Sequence, residues 1–186
     1  AKGQNSLGNM YFHGKGVKRD ESIAASWYTQ AAVQGYPQAL DNLGDLYREG
    51  VGVEKDETKA VDLFREAAEQ GYVESQDSLG DLYYTGKGTE QSYETAARWY
   101  RRASEGGFAE AQYRMGNLYY TGQGVERDRE LAAKWLKRSA VQGYPNAQLR
   151  LGQLYYRGEG VTRDYFQAAE WFYKAADQDF PQAQYA

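Results

Sequence analysis

The sequence predicts an all-α solenoid built from five 36-residue helix-turn-helix repeats, with the beginning of a sixth. Self-similarity at a fixed period of 20–50 residues is typical of such arrays. Two series of residues show the period without an insertion. The first is a helical Leu-Gly or Met-Gly pair, at Leu7-Gly8, Leu43-Gly44, Leu79-Gly80, Met115-Gly116 and Leu151-Gly152. The second is a G-x-G connector, at Gly14/Gly16, Gly50/Gly52, Gly86/Gly88, Gly122/Gly124 and Gly158/Gly160.

The first helix of a repeat is clearest in the second repeat. Pro37 stands at the predicted first turn, where a missing N–H leaves no hydrogen bond unmade. Gly50 follows the last apolar residue and can adopt the left-handed conformation that ends a helix. The apolar residues between them fall on one helical face, at Ala39, Leu43, Leu46 and Tyr47.

The second helix of the same repeat begins after Asp56, whose side chain can accept a hydrogen bond from the first turn. It carries one apolar stripe and is expected to stop at Gly71. The stripe consists of Ala60, Leu63, Phe64 and Ala67. The other repeats follow the same pattern, with Ser92 as the capping residue of the third and Asp179 in place of the terminal glycine of the fifth.

The G-x-G pairs and the only histidine do not indicate a catalytic site. A nucleotide-binding loop follows a strand and occurs once, whereas this G-x-G follows a helix five times. It is therefore interpreted as a structural connector. His13 has no histidine at the equivalent positions of other repeats and is interpreted as a surface residue.

The glycine of each Leu-Gly pair is expected to allow close approach of two helices. A glycine inside a helix costs about 1 kcal/mol relative to alanine, so its recurrence needs a compensating gain. The tryptophans are predicted to supply large core side chains between the paired helices, in preference to forming a ligand cage. They are Trp27, Trp99, Trp135 and Trp171.

The combined pattern is A-x-x-x-L-G-x-L-Y-x-x-G-x-G-V-x-x-D-x-x-x-A-x-x-W-x-x-x-A-A-x-x-G, and it resembles the Sel-one-like repeat (SLR) family, a relative of the tetratricopeptide repeats. Residues 43–72 and 115–144 carry it almost in full. The departures are Leu63 for tryptophan, Ser92 for aspartate, Thr89 for valine and Asp179 for glycine. The resemblance implies a right-handed α/α superhelix that serves as an adaptor for peptides or other proteins.

The resemblance covers the chain as a single array with repeats at about 1–36, 37–72, 73–108, 109–144 and 145–180 and a partial repeat at 181–186. We expect it to belong to a longer protein. Neither end has an obvious polar capping helix, which solenoids normally need for solubility, so we also expect the ends to associate weakly with each other or with a partner.

In tetratricopeptide-like solenoids, the face of each first helix opposite the apolar stripe lines a concave groove, which is the usual binding surface. A rotation of 100° per residue assigns the following residues to this face: Phe12, Asp41, Asp45, Arg48, Glu49, Glu74, Asp77, Asp81, Tyr84, Tyr113, Asn117, Tyr120, Gln153, Tyr156 and Arg157. Its acidic part is expected to take Lys or Arg and its aromatic part apolar side chains. The alternative is a solvated acidic face whose tyrosines pack neighbouring repeats.

The predicted function is that of a non-catalytic protein-protein interaction scaffold. Its partner would be a protein or peptide with a basic segment and apolar or aromatic anchors. An enzyme is the second hypothesis, because Asp41 and Asp45 could perform acid-base chemistry. No histidine cluster, nucleophile-base pair or lid loop accompanies them, so we predict no catalytic residue, cofactor or metal site.

An RNA-binding helical repeat is the third hypothesis, since pentatricopeptide-type arrays read one base per repeat. The acidic face and the net charge of −4 argue against nucleic acid as the partner. The chain has no cysteine, which excludes disulfides and thiolate chemistry. No apolar run approaches the roughly 20 residues of a membrane span. The compartment stays open, and our interpretation favours a soluble, exported bacterial protein over a cytoplasmic one.

Overall fold

A computed structural model describes residues 1–178, and this part of the chain forms ten α-helices and no β-strand. The helices are α1 (Lys2–His13), α2 (Glu21–Ala32), α3 (Pro37–Glu49), α4 (Glu57–Glu69), α5 (Val73–Thr85), α6 (Tyr93–Glu105), α7 (Ala109–Thr121), α8 (Arg129–Val141), α9 (Pro145–Arg157) and α10 (Tyr165–Ala176). Each repeat supplies two consecutive helices. The predicted all-α solenoid of helix-turn-helix repeats is thereby confirmed. Asp179 and the partial repeat at 181–186 lie outside the described residues.

The helix ends follow the signals in the sequence. Asp56 precedes α4, and its Oδ1 accepts a hydrogen bond of 2.9 Å from the backbone N–H of Lys59. Three other aspartates cap the second helices of their repeats in the same way, at Asp20, Asp128 and Asp164. The first helix α3 begins at Pro37 and is followed by Gly50, whose φ of 73° is left-handed. These short caps fix where each helix starts and stops.

In the first, second, fourth and fifth repeats, the glycine of the Leu-Gly or Met-Gly pair receives a side chain from the second helix of its own repeat. A Cβ at Gly44 would lie 2.9 Å from Cε1 of Phe64, and one at Gly116 would lie 2.6 Å from Cγ of Leu136. Gly8 faces the ring of Tyr28 in the same manner. The predicted close approach of the two helices is therefore present. A side chain of the second helix already fills the space that a side chain at the glycine would need.

The prediction that the tryptophans fill the space between paired helices is wrong for Trp27, Trp99 and Trp135. These three are only half-buried. In the first and fourth repeats, the residue that fills the glycine notch is the one that follows the tryptophan. One residue turns the helix by 100°, which moves the tryptophan from the centre of the contact to its edge. At this edge, the guanidinium group of Arg102 lies 4.6 Å from the ring centre of Trp99. Arg138 lies 4.7 Å from the ring centre of Trp135 in the same way.

In the second to fifth repeats, the second glycine of the connector packs against the preceding repeat. A Cβ at Gly160 would lie 2.0 Å from the carbonyl oxygen of Arg129, the first residue of α8. Gly52, Gly88 and Gly124 meet the first residue of α2, α4 and α6 in the same way, at 2.4, 2.2 and 2.1 Å. The connector thus holds consecutive repeats together through a contact between two backbones.

Replacing Gly124 with alanine is expected to lower the free energy of unfolding by about 2–5 kcal/mol. The new Cβ would collide with the carbonyl of Tyr93, and the φ of 69° is unfavourable for a residue with a side chain. Gly143 is the matched control, because its φ is 90° and nothing lies within 4 Å of its Cβ position. Gly143→Ala should cost only about 1–2 kcal/mol. Equal losses in urea unfolding would contradict the backbone contact.

The chain divides into two compact units, Ala1–Ser92 (unit 1) and Tyr93–Ala186 (unit 2). In unit 1 the core is built from small and aliphatic side chains around the buried ring of Tyr28, among them Leu40, Leu43 and Leu46. In unit 2, Leu136 packs with Leu151, Leu154 and Trp171. Each core joins the second helix of one repeat to the first helix of the next, which keeps the first helices in fixed register.

A buried glutamine on three of the first helices reaches back to the preceding second helix. Gln148 Nε2 donates to the carbonyl of Ala140 at 3.2 Å, and Gln112 Nε2 donates to the carbonyl of Ser104 at 3.2 Å. Gln76 Nε2 makes the same bond to Ala68. Each of these carbonyls, in the last turn of its helix, also accepts the backbone N–H of the glycine three residues on, so the glutamine adds a second hydrogen bond that ties the next repeat to the helix end.

Candidate partner-binding surface

The predicted acidic residues of unit 1 lie on the consecutive first helices α3 and α5. Ser75 Oγ on α5 donates a hydrogen bond of 2.6 Å to Oδ1 of Asp41 on α3. On α3, the guanidinium of Arg48 pairs with Asp45 at 2.6 Å and with Glu49 at 3.0 Å. We call the following residues the acidic cluster: Asp41, Asp45, Glu49 and Glu74.

The ionised form is disfavoured for two carboxyl groups of the acidic cluster, Asp41 and Asp45. Burial raises the pKa of Asp41 from the usual 3.8 to about 6, and the charges of Asp45 and Glu74 add to the rise, while the hydrogen bond from Ser75 opposes it. Burial also raises the pKa of Asp45, against the opposing charge of Arg48. A cation placed beside these carboxylates would be favoured, because its charge would offset the cost of burying the negative charges and would reduce their mutual repulsion.

Asp41 is expected to make the protein less stable as the pH rises. Its pKa is higher in the folded chain than in the unfolded one, so the folded state binds the proton more tightly between pH 3.8 and about 6. Stability from this group is present below that window and is lost as the pH rises through about 6. Asp41→Asn keeps an oxygen acceptor for Ser75, and we expect it to raise the unfolding free energy at pH 7 by about 1–3 kcal/mol.

The measurement is urea unfolding of the wild type and Asp41→Asn at pH 4 and pH 7. The gain should be confined to pH 7, because Asp41 is already protonated at pH 4. Asp62→Asn, an exposed position on α4, is the control and should show no such difference. A gain of the same size at both pH values would show that Asp41 acts by packing and not by its charge.

Other predicted residues of unit 1 contribute less surface. Asp77 is buried, with 5% of its surface exposed, and Asp81 and Tyr84 are half-buried. Phe12 is also half-buried; it packs on the unit 1 core, with its ring 5.0 Å from that of the exposed His13. Among the predicted residues of unit 1, the two that are exposed, Glu49 and Glu74, both belong to the acidic cluster.

In unit 2, Tyr120 is engaged within the protein. Its hydroxyl donates a hydrogen bond of 2.6 Å to Oε2 of Glu159, and the guanidinium of Arg150 lies 4.3 Å from its ring centre. Arg129 lies 3.9 Å from Glu159 and also faces the ring. The hydrogen bond from Tyr120, followed by the nearby arginines, lowers the pKa of Glu159. Tyr120 thus links the fourth and fifth repeats, as the alternative interpretation of the tyrosines expects.

Tyr156 and Arg157 offer the largest accessible surface among the predicted residues of unit 2. Tyr156 is 57% exposed, with its ring 5.4 Å from that of Tyr165, and Arg157 is also exposed. The remaining three are half-buried. Tyr113 packs against Tyr144, Gln153 accepts a hydrogen bond from Arg150, and Asn117 accepts one at its backbone carbonyl from Thr121.

A basic surface on unit 2 was not among the predicted sites. The second helices α6 and α8 expose Arg98, Arg101, Arg102, Lys134, Lys137 and Arg138. Unit 1 has nine basic and fifteen acidic residues, whereas residues 93–186 have thirteen basic and eleven acidic ones. The net charges are therefore −6 and +2, and a count of charge along the sequence is the signal that shows the difference.

These helices define an α-solenoid with candidate binding residues on its first helices, a class of protein that binds partners over extended surfaces. The Sel1 repeat model matches residues 1–36, 37–72, 73–108, 109–144 and 145–180. The chain therefore belongs to the Sel1 repeat family. Proteins with this repeat typically mediate protein-protein interactions, and the scaffold is generally non-catalytic.

Solved structures show the same fold. A protective antigen of uropathogenic Escherichia coli with an SLR fold is 42% identical over 98% of this chain, with a TM-score of 0.94, and the match spans 39% of the antigen. A Sel1 repeat protein from Oxalobacter formigenes is 36% identical over 98% of this chain and 72% of its own length, with a TM-score of 0.93.

A more distant match is an immunity protein of Pseudomonas aeruginosa. It is 22% identical over 98% of this chain and 67% of its own length, with a TM-score of 0.61, and it shows likeness of fold alone. No curated protein sequence matches the chain. Among the described residues, each helix is too short or too polar to cross a membrane.

Proposed function

We propose that this protein is an interaction scaffold that uses its first helices to bind a peptide or protein segment containing Lys or Arg. The acidic cluster on α3 and α5 is the surface that receives the basic residues. The observation that carries the proposal is the Asp41 carboxyl group, which is half-buried near Asp45 and Glu74 and has a pKa raised to about 6. A ligand cation would stabilise the charged form of this group.

The geometry favours a ligand that reaches Asp41 and Glu74 together. Both groups raise the pKa of Tyr72, after burial, which places the two charges around the same ring. Arg48 is already paired with Asp45 and Glu49, so it satisfies one side of the cluster. A lysine or arginine of the partner would satisfy the other side, where Glu74 is exposed.

Apolar contacts would contribute to binding of the partner separately from the charge pairs. In unit 2, the exposed ring of Tyr156 stands beside Arg157 and Tyr165. Exposed tyrosines are frequent anchors in protein interfaces, because they bury a large area and lose little conformational freedom. Tyr120 is a weaker candidate for the same role, since its hydroxyl and ring are already used by Glu159 and Arg150.

A peptide library displayed on phage and selected against the whole chain tests the proposal. We expect the selected sequences to be enriched in Lys and Arg, and their affinity for Glu74→Lys to fall by about tenfold, as expected for removing one close charge pair. Glu66→Lys is the matched control, because Glu66 is an exposed glutamate of α4 and the change in net charge is identical. Ligands that bind Glu74→Lys as tightly as the wild type would contradict the proposal.

A further inference from the structure

Two clefts that recur one repeat apart lie beside the basic surface on α6 and α8. The first lies between α6 and the fourth repeat and has a volume of about 360 Å³, and the second lies between α8 and the fifth repeat and has a volume of about 210 Å³. Each is several times the share of one water molecule in the liquid, about 30 Å³, so a side chain fits. Each is lined by two basic residues of a second helix and a tyrosine of the next first helix: Arg98, Arg101 and Tyr119 in the first cleft, and Lys134, Lys137 and Tyr155 in the second.

The equivalent arginine of α4 shows which partner such a position takes. Arg65, 36 residues before Arg101, pairs with the carboxylate of Asp62 at 2.7 Å on the same helix. In α6 the residue equivalent to Asp62 is Arg98, so a second cation stands where the carboxylate would be. Arg98 itself pairs with Glu94 at 2.5 Å, but 72% and 69% of these side chains are exposed, and an exposed pair is worth little in water. In the described part of the chain, Arg101 has a hydrogen bond to a tyrosine hydroxyl, at 3.0 Å, but no ion pair.

In α8 the same two positions are occupied by Lys134 and Lys137. Both are exposed, and neither forms an ion pair with any residue that the structure describes. Both α6 and α8 are followed by another repeat of the chain, so these side chains are exposed with that neighbour already packed. The equivalent residues of α2 are Ser26 and Thr29, which carry no charge. Since the repeat folds with such different residues here, the cations of α6 and α8 are not needed for helix packing.

Two further arginines of the basic surface are held by tryptophans. Arg102 and Arg138 lie over the rings of Trp99 and Trp135, about one turn earlier on α6 and α8. A guanidinium group that stacks on a ring loses little additional freedom when its N–H groups bind a carboxylate. The equivalent residue of α4 is Glu66, so the stacked cation is absent from that helix. The two arginines are thus oriented in advance for an anionic ligand.

We infer that the basic surface on α6 and α8 binds an acidic segment of a partner protein, which places one carboxylate in each of the two clefts. Each carboxylate pairs with the two cations of its cleft, as Asp62 pairs with Arg65 within α4. Arg101 still has N–H donors for this contact, because a guanidinium group has five and the tyrosine hydroxyl uses one. The basic surface lies on other helices than the acidic cluster and takes a ligand of opposite charge, so either interaction can fail while the other holds.

Two observations favour an acidic protein segment over a nucleic acid. Proteins that bind single strands stack the bases on exposed aromatic rings. Trp99 and Trp135 are half-buried, and a guanidinium group already covers a face of each ring. The chain as a whole has a net charge of −4, which opposes the approach of a long polyphosphate, whereas a short acidic segment can lie against α6 and α8 alone.

Fluorescence polarisation with a labelled Glu-rich peptide, at low and at moderate salt concentration, tests the inference. We expect the whole chain to bind this peptide more tightly than a Gly/Ser-rich peptide of the same length, and more weakly as the salt concentration rises. Arg98→Asp with Lys134→Asp gives each cleft the acidic residue that α4 has at Asp62, so that Arg101 and Lys137 can be paired within the protein. This double variant should bind the peptide about tenfold more weakly than the wild type.

Lys15→Asp with Lys18→Asp is the matched control, because both lysines are exposed, lie outside the basic surface and give the same change in net charge. It should bind the peptide like the wild type. In the ¹⁵N-labelled chain, the peptide should shift the backbone amides of α6 and α8 most. Glu74→Lys should bind the peptide at least as tightly as the wild type, which separates this surface from the acidic cluster.

Equal losses for the two double variants would overturn the inference, because the effect would then come from the net charge. So would a wild type that does not bind the Glu-rich peptide, or largest shifts outside α6 and α8. Single-stranded RNA or phosphatidylserine vesicles that displace the peptide at a lower concentration of negative charge would also overturn it, since the surface would then belong to a different anion.

Discussion

Phe64→Ala is expected to lower the free energy of unfolding by about 3–5 kcal/mol, as truncation of a buried aromatic side chain does. Phe64 is fully buried, and its ring fills the notch left by Gly44. Leu63, the adjacent residue, is the matched control because it occupies the position at which other repeats carry tryptophan and is only half-buried. Leu63→Ala should cost about 1–2 kcal/mol.

Urea unfolding of the two variants, followed by circular dichroism, measures the difference. The damage should be greatest in the adjacent repeats, because each repeat of a solenoid contacts only its neighbours. Hydrogen exchange can localise it to α3, α4 and α5. Equal losses for the two variants would contradict the conclusion that the residue after the tryptophan position fills the glycine notch.

Reversing the charge of Asp41 and Glu74 together is expected to have the largest effect on binding. A ligand selected for its basic residues should bind Asp41→Lys with Glu74→Lys about 100-fold more weakly, because two close attractive pairs become repulsive ones. The association rate should fall and should depend less on salt concentration than in the wild type. Circular dichroism checks that the half-buried Asp41 position tolerates the change.

The control for this double variant carries the same change in net charge elsewhere in unit 1. Glu66 and Glu69 are exposed glutamates of α4, and their replacement by lysine leaves the first helices untouched. The ligand should bind this control within about twofold of the wild type. If both double variants lose affinity equally, the effect comes from the overall charge of unit 1 and not from the acidic cluster.

The repeat and the positions of the helices could be predicted from the sequence because both rest on local chemistry. The period, the aspartate caps and the glycine that ends each first helix are all properties of neighbouring residues. The partner of the notch glycine could not be predicted in the same way. Leu63 and Phe64 are adjacent and both apolar, so the sequence does not say which of them points at Gly44; that depends on the rotation of α4 about its axis.

For the candidate site, too, the sequence predicts which residues are present but not how they contact one another. The sequence places acidic residues on the first helices, but it does not show that Ser75 bonds to Asp41, 34 residues away, or that burial raises the pKa of Asp41. The buried glutamines, by contrast, carry a signal in the sequence. Gln76, Gln112 and Gln148 recur at 36-residue spacing, and a polar residue that recurs in a repeat array indicates a structural contact.

Chemical-shift mapping tests the central claim most directly. The ¹⁵N-labelled chain would be titrated with a selected basic ligand, and the shifts would be followed for every backbone amide. The account predicts that the largest changes lie on α3 and α5, around Asp41, Asp45 and Glu74, and that they disappear in Glu74→Lys but persist in Glu66→Lys. Largest changes on the second helices, such as α4, α6 or α8, would contradict the claim that the first helices bind the partner.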